Sequence, residues 1–286
     1  MSQIEYMFVR REATCKRSDL ARDSVQRTGR DARMSDRSTI EWTEATWNPI
    51  TGCTEVSPGC DNCYARTFAE RFRGVEGHPY EQGFDLKLWP ERLEQPSRWK
   101  KPRIIFVNSM SDLFHEDVPD GYIGLVLKAM AEAPHHTFQV LTKRPGRMAS
   151  VLRRLQPNPL PHVWWGTSIE LDRYTWRADK LRQTPAAVRF LSLEPLLGPL
   201  DSLKLDGVDW VIVGGESGHG ARPLREEWVR DLRDRCAHQA VPFFFKQTGS
   251  VWAKELGHKA TKGTSEEEIP GEFLVREYPE QPLATA

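Results

Sequence analysis

Short apolar runs, rich in β-branched and aromatic residues, recur along the chain at 103–107, 137–141, 163–166, 188–191, 209–213 and 241–245. Each is apolar along most of its length rather than at alternate positions, as expected of strands buried on both faces of a parallel sheet. Between them the apolar period becomes helical. Tyr122, Ile123, Val126, Leu127 and Met130 share one helix face, and Trp228, Leu232 and Cys236 share another. Successive runs start 21 to 34 residues apart, the spacing of strand–helix units. With an earlier strand near 45–51, six or seven strands are expected. Strand and helix in alternation predict an α/β chain.

The residues after each run choose between the two α/β architectures. Asn108 to Asp112, Thr142 to Arg144, Thr167 to Glu170, Ser192 to Pro195, Gly214 to Ser217 and Lys246-Gln247 each follow a run directly. Every strand thus delivers a polar or charged group at its C-terminal end. A barrel does this, because its strand-to-helix loops converge on one mouth, whereas an open sheet gathers ligand groups at one switch point. The expected fold is a partial (βα) barrel of about six or seven parallel strands.

The barrel unit is expected over 38–250, broken by a polar, glycine- and proline-containing insertion at 74–102 with a short helix near 91–99. Beyond it, 251–286 is polar and is expected to form a hairpin or tail. Residues 1–37 form a basic extension, with arginines at 10, 11, 17, 22, 27, 30 and 33 and no secretory pattern. It is either a real arm or the product of an upstream start codon, Met34 opening a shorter chain. Little fixed structure is expected there on either reading.

Lysine plus arginine equals aspartate plus glutamate at 40 each, so no global field draws the chain to nucleic acid or acidic lipid. No apolar run approaches the roughly 18 residues of a membrane span. Five cysteines in 286 residues are too few for a disulfide-stapled fold, which makes a reducing cytoplasm the expected location.

Three of those cysteines carry the sharpest local signal: Cys53, Cys60 and Cys63, spaced C-x6-C-x2-C directly after the first strand. Ser57-Pro58-Gly59 is a turn, so the long first gap need not separate the thiols. A helix is expected to start after Cys63, through Ala65, Phe68, Ala69 and Phe72. Spacing alone leaves two metals open. A structural zinc needs a fourth ligand, from His78, His115 or Cys236. An iron–sulfur cluster on three thiolates leaves one iron free for a substrate or cofactor. A loop at the mouth of a barrel is a poor place for a purely structural metal.

The runs Ile40 to Cys53 and Cys60 to Ala65, with Leu141 to Pro145, Trp165 to Ser168, Leu191 to Leu197 and Val213 to Gly218, resemble the phage-associated three-Cys-motif family over about 38–280. That family is radical-SAM-like and more distantly similar to the spore photoproduct lyases, which repair DNA. The resemblance implies a [4Fe–4S] cluster on Cys53, Cys60 and Cys63 and S-adenosylmethionine cleaved to a 5′-deoxyadenosyl radical. The first gap of this chain departs from the C-x3-C-x2-C spacing most common in radical SAM enzymes.

S-Adenosylmethionine offers an ammonium, a carboxylate, a ribose and an adenine. Glu194 or Glu170 suits the ammonium or ribose hydroxyls, Lys143 or Arg144 the carboxylate, and Ser109 and Ser168 are short donors. Gly214 and Gly215 suit close backbone approach to adenine or ribose, and Glu216 completes the ring of strand-end groups. Each could instead be a solvated or ion-paired loop residue. Lys246 is expected either to meet substrate or to close an ion pair, Cys236 to pack in the core, His135 and His136 to be surface loop residues, and Trp47 to be the tryptophan at the mouth. A second function class stays open: a non-catalytic zinc or cluster scaffold acting with a partner protein. Nucleic acid as a substrate or partner rests on the family analogy alone.

Overall fold

The structure is a computed structural model that describes residues 38–156, 158–259 and 262–280; the basic extension, Met34 and Cys15 lie outside them. In chain order the elements are β1 (Ala45–Trp47), β2 (Ile50–Thr51), α1 (Tyr64–Glu70), β3 (Lys87–Leu88), α2 (Gln95–Arg98), β4 (Ile104–Val107), α3 (Asp120–Ala131), β5 (Thr137–Thr142), α4 (Pro145–Leu155), β6 (Val163–Ser168), α5 (Trp176–Arg182), β7 (Val188–Leu193), β8 (Trp210–Gly214), α6 (Glu226–His238), β9 (Phe243–Gln247) and α7 (Gly249–Glu255).

Seven strands pair side by side in the order β1-β4-β5-β6-β7-β8-β9, and every pairing is parallel. The sheet curls into a half-barrel, as the sequence predicts. One indole demonstrates the curl. The Trp42 ring lies 4.7 Å from Phe106 of β4, 6.3 Å from Phe190 of β7 and 6.3 Å from Trp210 of β8. Strands β4 and β8 are four places apart, roughly 19 Å in a flat sheet, so one ring reaches both only across a concave face.

Strand side chains alternate between two cores. Outward, Ile105, Val107, Phe138, Val140, Leu191, Val211 and Phe245 pack against Ile123, Val126, Met148, Leu152, Leu181 and Leu232 of the helices. Inward, Trp42, Phe106, Trp164, Phe190, Trp210 and Phe244 form a second cluster. Gly166 makes room for it, since a Cβ there would sit 2.5 Å from the Phe190 ring. The inward positions toward the C-terminal ends turn polar: Ser168 and Ser192 are register partners one step beyond Gly166 and Phe190 on that face. Aromatic rings therefore fill the bottom of the half-barrel and polar groups line its mouth.

Several sequence expectations are refined. The strand expected at 45–51 is two: β1 joins the sheet, while β2, past Asn48-Pro49, pairs antiparallel with β3 inside the insertion. Proline cannot donate to a ladder, which fits a strand that ends there. The insertion helix is the single turn α2 preceded by a 3-10 turn at Pro90–Arg92. The stretch after 250 contains the end of α7 and two 3-10 turns, with Trp252, Ile269 and Phe273 buried in the outer core. Residues 275–277 then run antiparallel along β9, Phe245 N–H donating to Val275 O (2.8 Å) and Glu277 N–H to Phe243 O (3.0 Å). Trp47 is not at the mouth: it points to the outer core, ring against Phe138 at 5.9 Å, its indole N–H on Arg92 O at 2.8 Å. His136 is buried rather than at the surface, and its Nε2 lies 3.0 Å from Pro96 O. Among the described residues no helix is long and apolar enough to cross a membrane.

Candidate active site at the barrel mouth

The cysteine loop begins where β2 ends. Gly52 adopts φ +86°, and a Cβ there would strike Asp85 O at 2.2 Å, so glycine lets the loop leave β2 pressed against the insertion. Cys60 ends a 3-10 turn over Pro58–Cys60, its N–H donating to Ser57 O at 2.8 Å. Cys63 caps α1, and its carbonyl accepts from Thr67 N–H at 3.0 Å and Thr67 Oγ1 at 3.1 Å. All three thiols are free and half-buried. They share one loop over the mouth, but among the described residues no three Cys, His, Asp or Glu side chains are gathered around one point.

That loop is tied to strand ends on both sides of the mouth. At its start, Arg144, following β5, donates to Thr54 Oγ1 (2.9 Å) and Thr54 O (3.3 Å) and lies 3.5 Å from Cys53 Sγ. Arg144 is itself held by Asp112 at 3.2 Å, whose carboxylate also accepts from Thr142 Oγ1 (2.7 Å), Phe114 N–H (2.9 Å) and Lys143 N–H (3.1 Å). At its far end, Arg222 donates to Pro58 O (2.7 Å) and Asp61 Oδ2 (2.9 Å), and is held by Glu216 through bonds of 2.6 and 2.9 Å. Glu216 also accepts from Asn62 Nδ2 at 2.9 Å. Midway, Gly59 lies against Glu170, whose Cγ and Cδ would sit 3.3 Å from an added Cβ.

These contacts sort the strand-end residues. Glu216 is nearly fully buried and its carboxylate is engaged with the loop. Burial pushes its pKa up, but the bonds from Arg222 and Asn62 outweigh that and hold it below the ordinary 4.5. Glu170, wholly buried, pairs with buried Arg177 at 3.0 Å through Oε2, and its Oε1 has no partner. Ser168 gives its carbonyl to Arg177 at 2.9 Å. Ser109 Oγ exchanges hydrogen bonds with the Asn48 amide at 3.1–3.2 Å, and its carbonyl accepts from Tyr64 OH at 2.5 Å. Glu194 is half-buried and meets Lys246 at 2.6 Å, so Lys246 closes an ion pair. Lys143 is half-buried, and among the described residues its ammonium meets no carboxylate. Gly215 has a packing reason of its own, a Cβ there falling 2.3 Å from Thr248 O.

The fourth ligands a zinc site would draw on are occupied. His115 Nδ1 accepts from Asp117 N–H at 3.2 Å, which leaves Nε2 to donate to Thr54 Oγ1 at 2.8 Å. His78 stacks on Phe72 at 3.9 Å and accepts from Tyr80 N–H. Cys236 is sealed in the outer core, where burial pushes its thiol up to about 12. Cys53 is also raised, to about 11, by burial and then by Asp112, with Arg144 opposing.

The family comparison agrees with the extent of this architecture: the family described as Protein of unknown function (DUF5131) matches residues 37–279. The chain belongs to that family. Among curated proteins no match is found for this DUF5131 chain. It is similar to two solved structures. One is spore photoproduct lyase complexed with dinucleoside spore photoproduct, at 13% identity and TM-score 0.47 over 76% of this chain and 81% of that one. The other is a double mutant of spore photoproduct lyase with bound AdoMet and dinucleoside spore photoproduct, at 12% identity and TM-score 0.40 over 70% and 64%.

Three residues of the DUF5131 site are not singled out by sequence reasoning, which marks 108–112 only as one polar strand end. Asp112 organises the ends of β4 and β5, and Arg222 the far end of the loop. Asn108, just past β4, is 2% exposed, sits at φ +63°, and has neither amide atom partnered. A non-glycine residue in that region is a cue, because asparagine is enriched there, but the sequence shows only the residue type.

Proposed function

We propose that this chain is a radical S-adenosylmethionine enzyme whose [4Fe–4S] cluster is held by Cys53, Cys60 and Cys63. The observation that carries the reading is three free, half-buried thiols on one loop that is fastened across the polar mouth of a parallel half-barrel. A zinc would need a fourth protein ligand; among the described candidates His115 is bonded through both ring nitrogens, His78 is stacked on Phe72 and Cys236 is sealed in the core. A cluster with one open iron needs only three. When bound, it supplies the electron that splits the sulfonium of S-adenosylmethionine, the hard chemistry being the cofactor's.

The protein's part is to bind and orient. Glu194 and Lys143 bring opposite charges to the ends of β7 and β5. In this reading Glu194 accepts from the methionine ammonium and Lys143 takes the carboxylate, as charge-assisted bonds. Ser168 and Ser192 line the wall, and the aromatic floor beneath them excludes water. Of the other acidic strand-end groups, Glu216 is bonded to Arg222 and Asn62 of the loop fastening and Glu170 to Arg177.

The test is anaerobic reconstitution with iron and sulfide. The chain should turn brown, bind about four irons, and release 5′-deoxyadenosine from S-adenosylmethionine under a strong reductant. Cys60→Ala should lose the colour and Cys236→Ala keep it. Colourless protein carrying one tight zinc would instead support the scaffold reading.

A further inference from the structure

Two of the fastenings of the cysteine loop, at its opposite ends, are built alike yet share no residue. Each is an arginine backed by a buried carboxylate: Asp112 behind Arg144 and Glu216 behind Arg222. Arg144 reaches Cys53 Sγ and both oxygens of Thr54, at the start of the loop. Arg222 and Glu216 reach Pro58 O, Asp61 and Asn62, two residues before Cys60 and both residues between Cys60 and Cys63. Between these ends Thr54, Glu55 and Val56 are exposed. The long first gap therefore spans two anchors on opposite sides of the mouth.

Resting on the cluster reading above, we propose that Arg144 and Arg222 are positioning residues that seat the two ends of the loop independently, Arg144 setting Cys53 and Arg222 setting Cys60 and Cys63. Guanidinium suits the task. Its planar fork can serve a carboxylate and backbone carbonyls at once, which an ammonium cannot do with fixed geometry. With the carboxylates buried, the forks keep one orientation, and each presents its remaining N–H groups to the loop. Arg66 links the halves, from Cys60 O (2.6 Å) and Asp61 O (3.3 Å) to Glu55, but its pair with Glu55 is solvent-exposed and worth little. The arginine–carboxylate anchors themselves share no partner and act additively, so loosening one end leaves the other in place.

Hydrogen exchange on the metal-free, reduced full chain tests this, resolved to peptides 50–57, 58–64 and the β6 segment. Arg222→Ala should speed exchange in 58–64 about tenfold and leave 50–57 and β6 unchanged, and Arg144→Ala should do the converse. Arg222→Lys, which keeps the charge without the fork, should behave like Arg222→Ala. Added guanidinium at non-denaturing concentration should restore slow exchange to Arg222→Ala, which a general loss of stability would not allow. In iron-loaded protein both alanine variants should surrender iron faster to a chelator. Equal acceleration of both loop halves by either variant, acceleration reaching β6, or no change in either half overturns the proposal. The exchange arm is read on metal-free protein, so a chain that builds no cluster can still satisfy it, and one that builds a cluster can still fail it.

Discussion

Glu194 and Lys246 stand at the ends of β7 and β9, two places apart in the sheet, yet their side chains meet at 2.6 Å across β8. Gly214 of β8 lies directly alongside, its missing Cβ 3.4 Å from Glu194 Cδ. The pair is 15–19% exposed, so neither charge is fully withdrawn from water and its net worth to the fold is modest. Glu194→Gln should therefore move the thermal midpoint little but weaken S-adenosylmethionine roughly ten- to a hundredfold, since a charged partner is worth about 1.5–3 kcal/mol. Titration of iron-loaded protein measures it, and unchanged affinity would remove Glu194 from the site.

Gly214 and Gly215 are neighbours with different tolerances. A Cβ at 214 would make ordinary contacts at 3.4–3.5 Å, whereas one at 215 would meet backbone at 2.3 Å. Gly215→Ala should cost about 1–3 kcal/mol, the usual range for overpacking, and Gly214→Ala under about 1 kcal/mol. Urea denaturation of both variants gives the comparison, and equal losses would refute it.

The depressed Glu216 carboxyl predicts a pH dependence. A carboxylate with a lowered folded pKa contributes stability that is present above its unfolded value and lost as pH falls through the folded one. The wild type should exceed Glu216→Gln in stability by a constant amount at neutral pH. That gap should close as pH drops below 4.5 toward the lowered value. Denaturant midpoints at stepped pH check it, and a gap that persists in acid would mean the carboxylate is not ionised in the fold.

Phe273 tests whether the C-terminal stretch belongs to the fold. Its ring is fully buried, 5.9 Å from Phe245 and 5.6 Å from Trp252. Phe273→Ala should cost about 3–5 kcal/mol in equilibrium unfolding, whereas a loosely attached tail would register almost nothing.

What the sequence discloses here follows from what burial does to composition. Strands β4 to β9 are apolar on both faces, so their runs stand out, and the polar residue ending each run marks the mouth. β1 is three residues long, too short for alternation to say which way Trp47 points. The loop fastenings are illegible for another reason. Asn62 lies 154 residues from Glu216 and Arg144 lies 32 from Asp112, and no periodicity connects such partners. Glu170 and Glu216 stand out as charged strand-end groups. Only the folded chain shows that each carboxylate pairs with an arginine.

The strip of chain at 275–277 that hydrogen-bonds along β9, with Arg276 opposite Phe244, has a consequence for how the molecule behaves in company. A half-barrel, unlike a closed one, ends in a strand whose outer N–H and C=O groups can template a strand from a second molecule. Here that row is already taken, by the same polypeptide and in the opposite direction. The fold carries its own stop against lateral growth at the β9 border, and a chain cut before Val275 should be the one that self-associates.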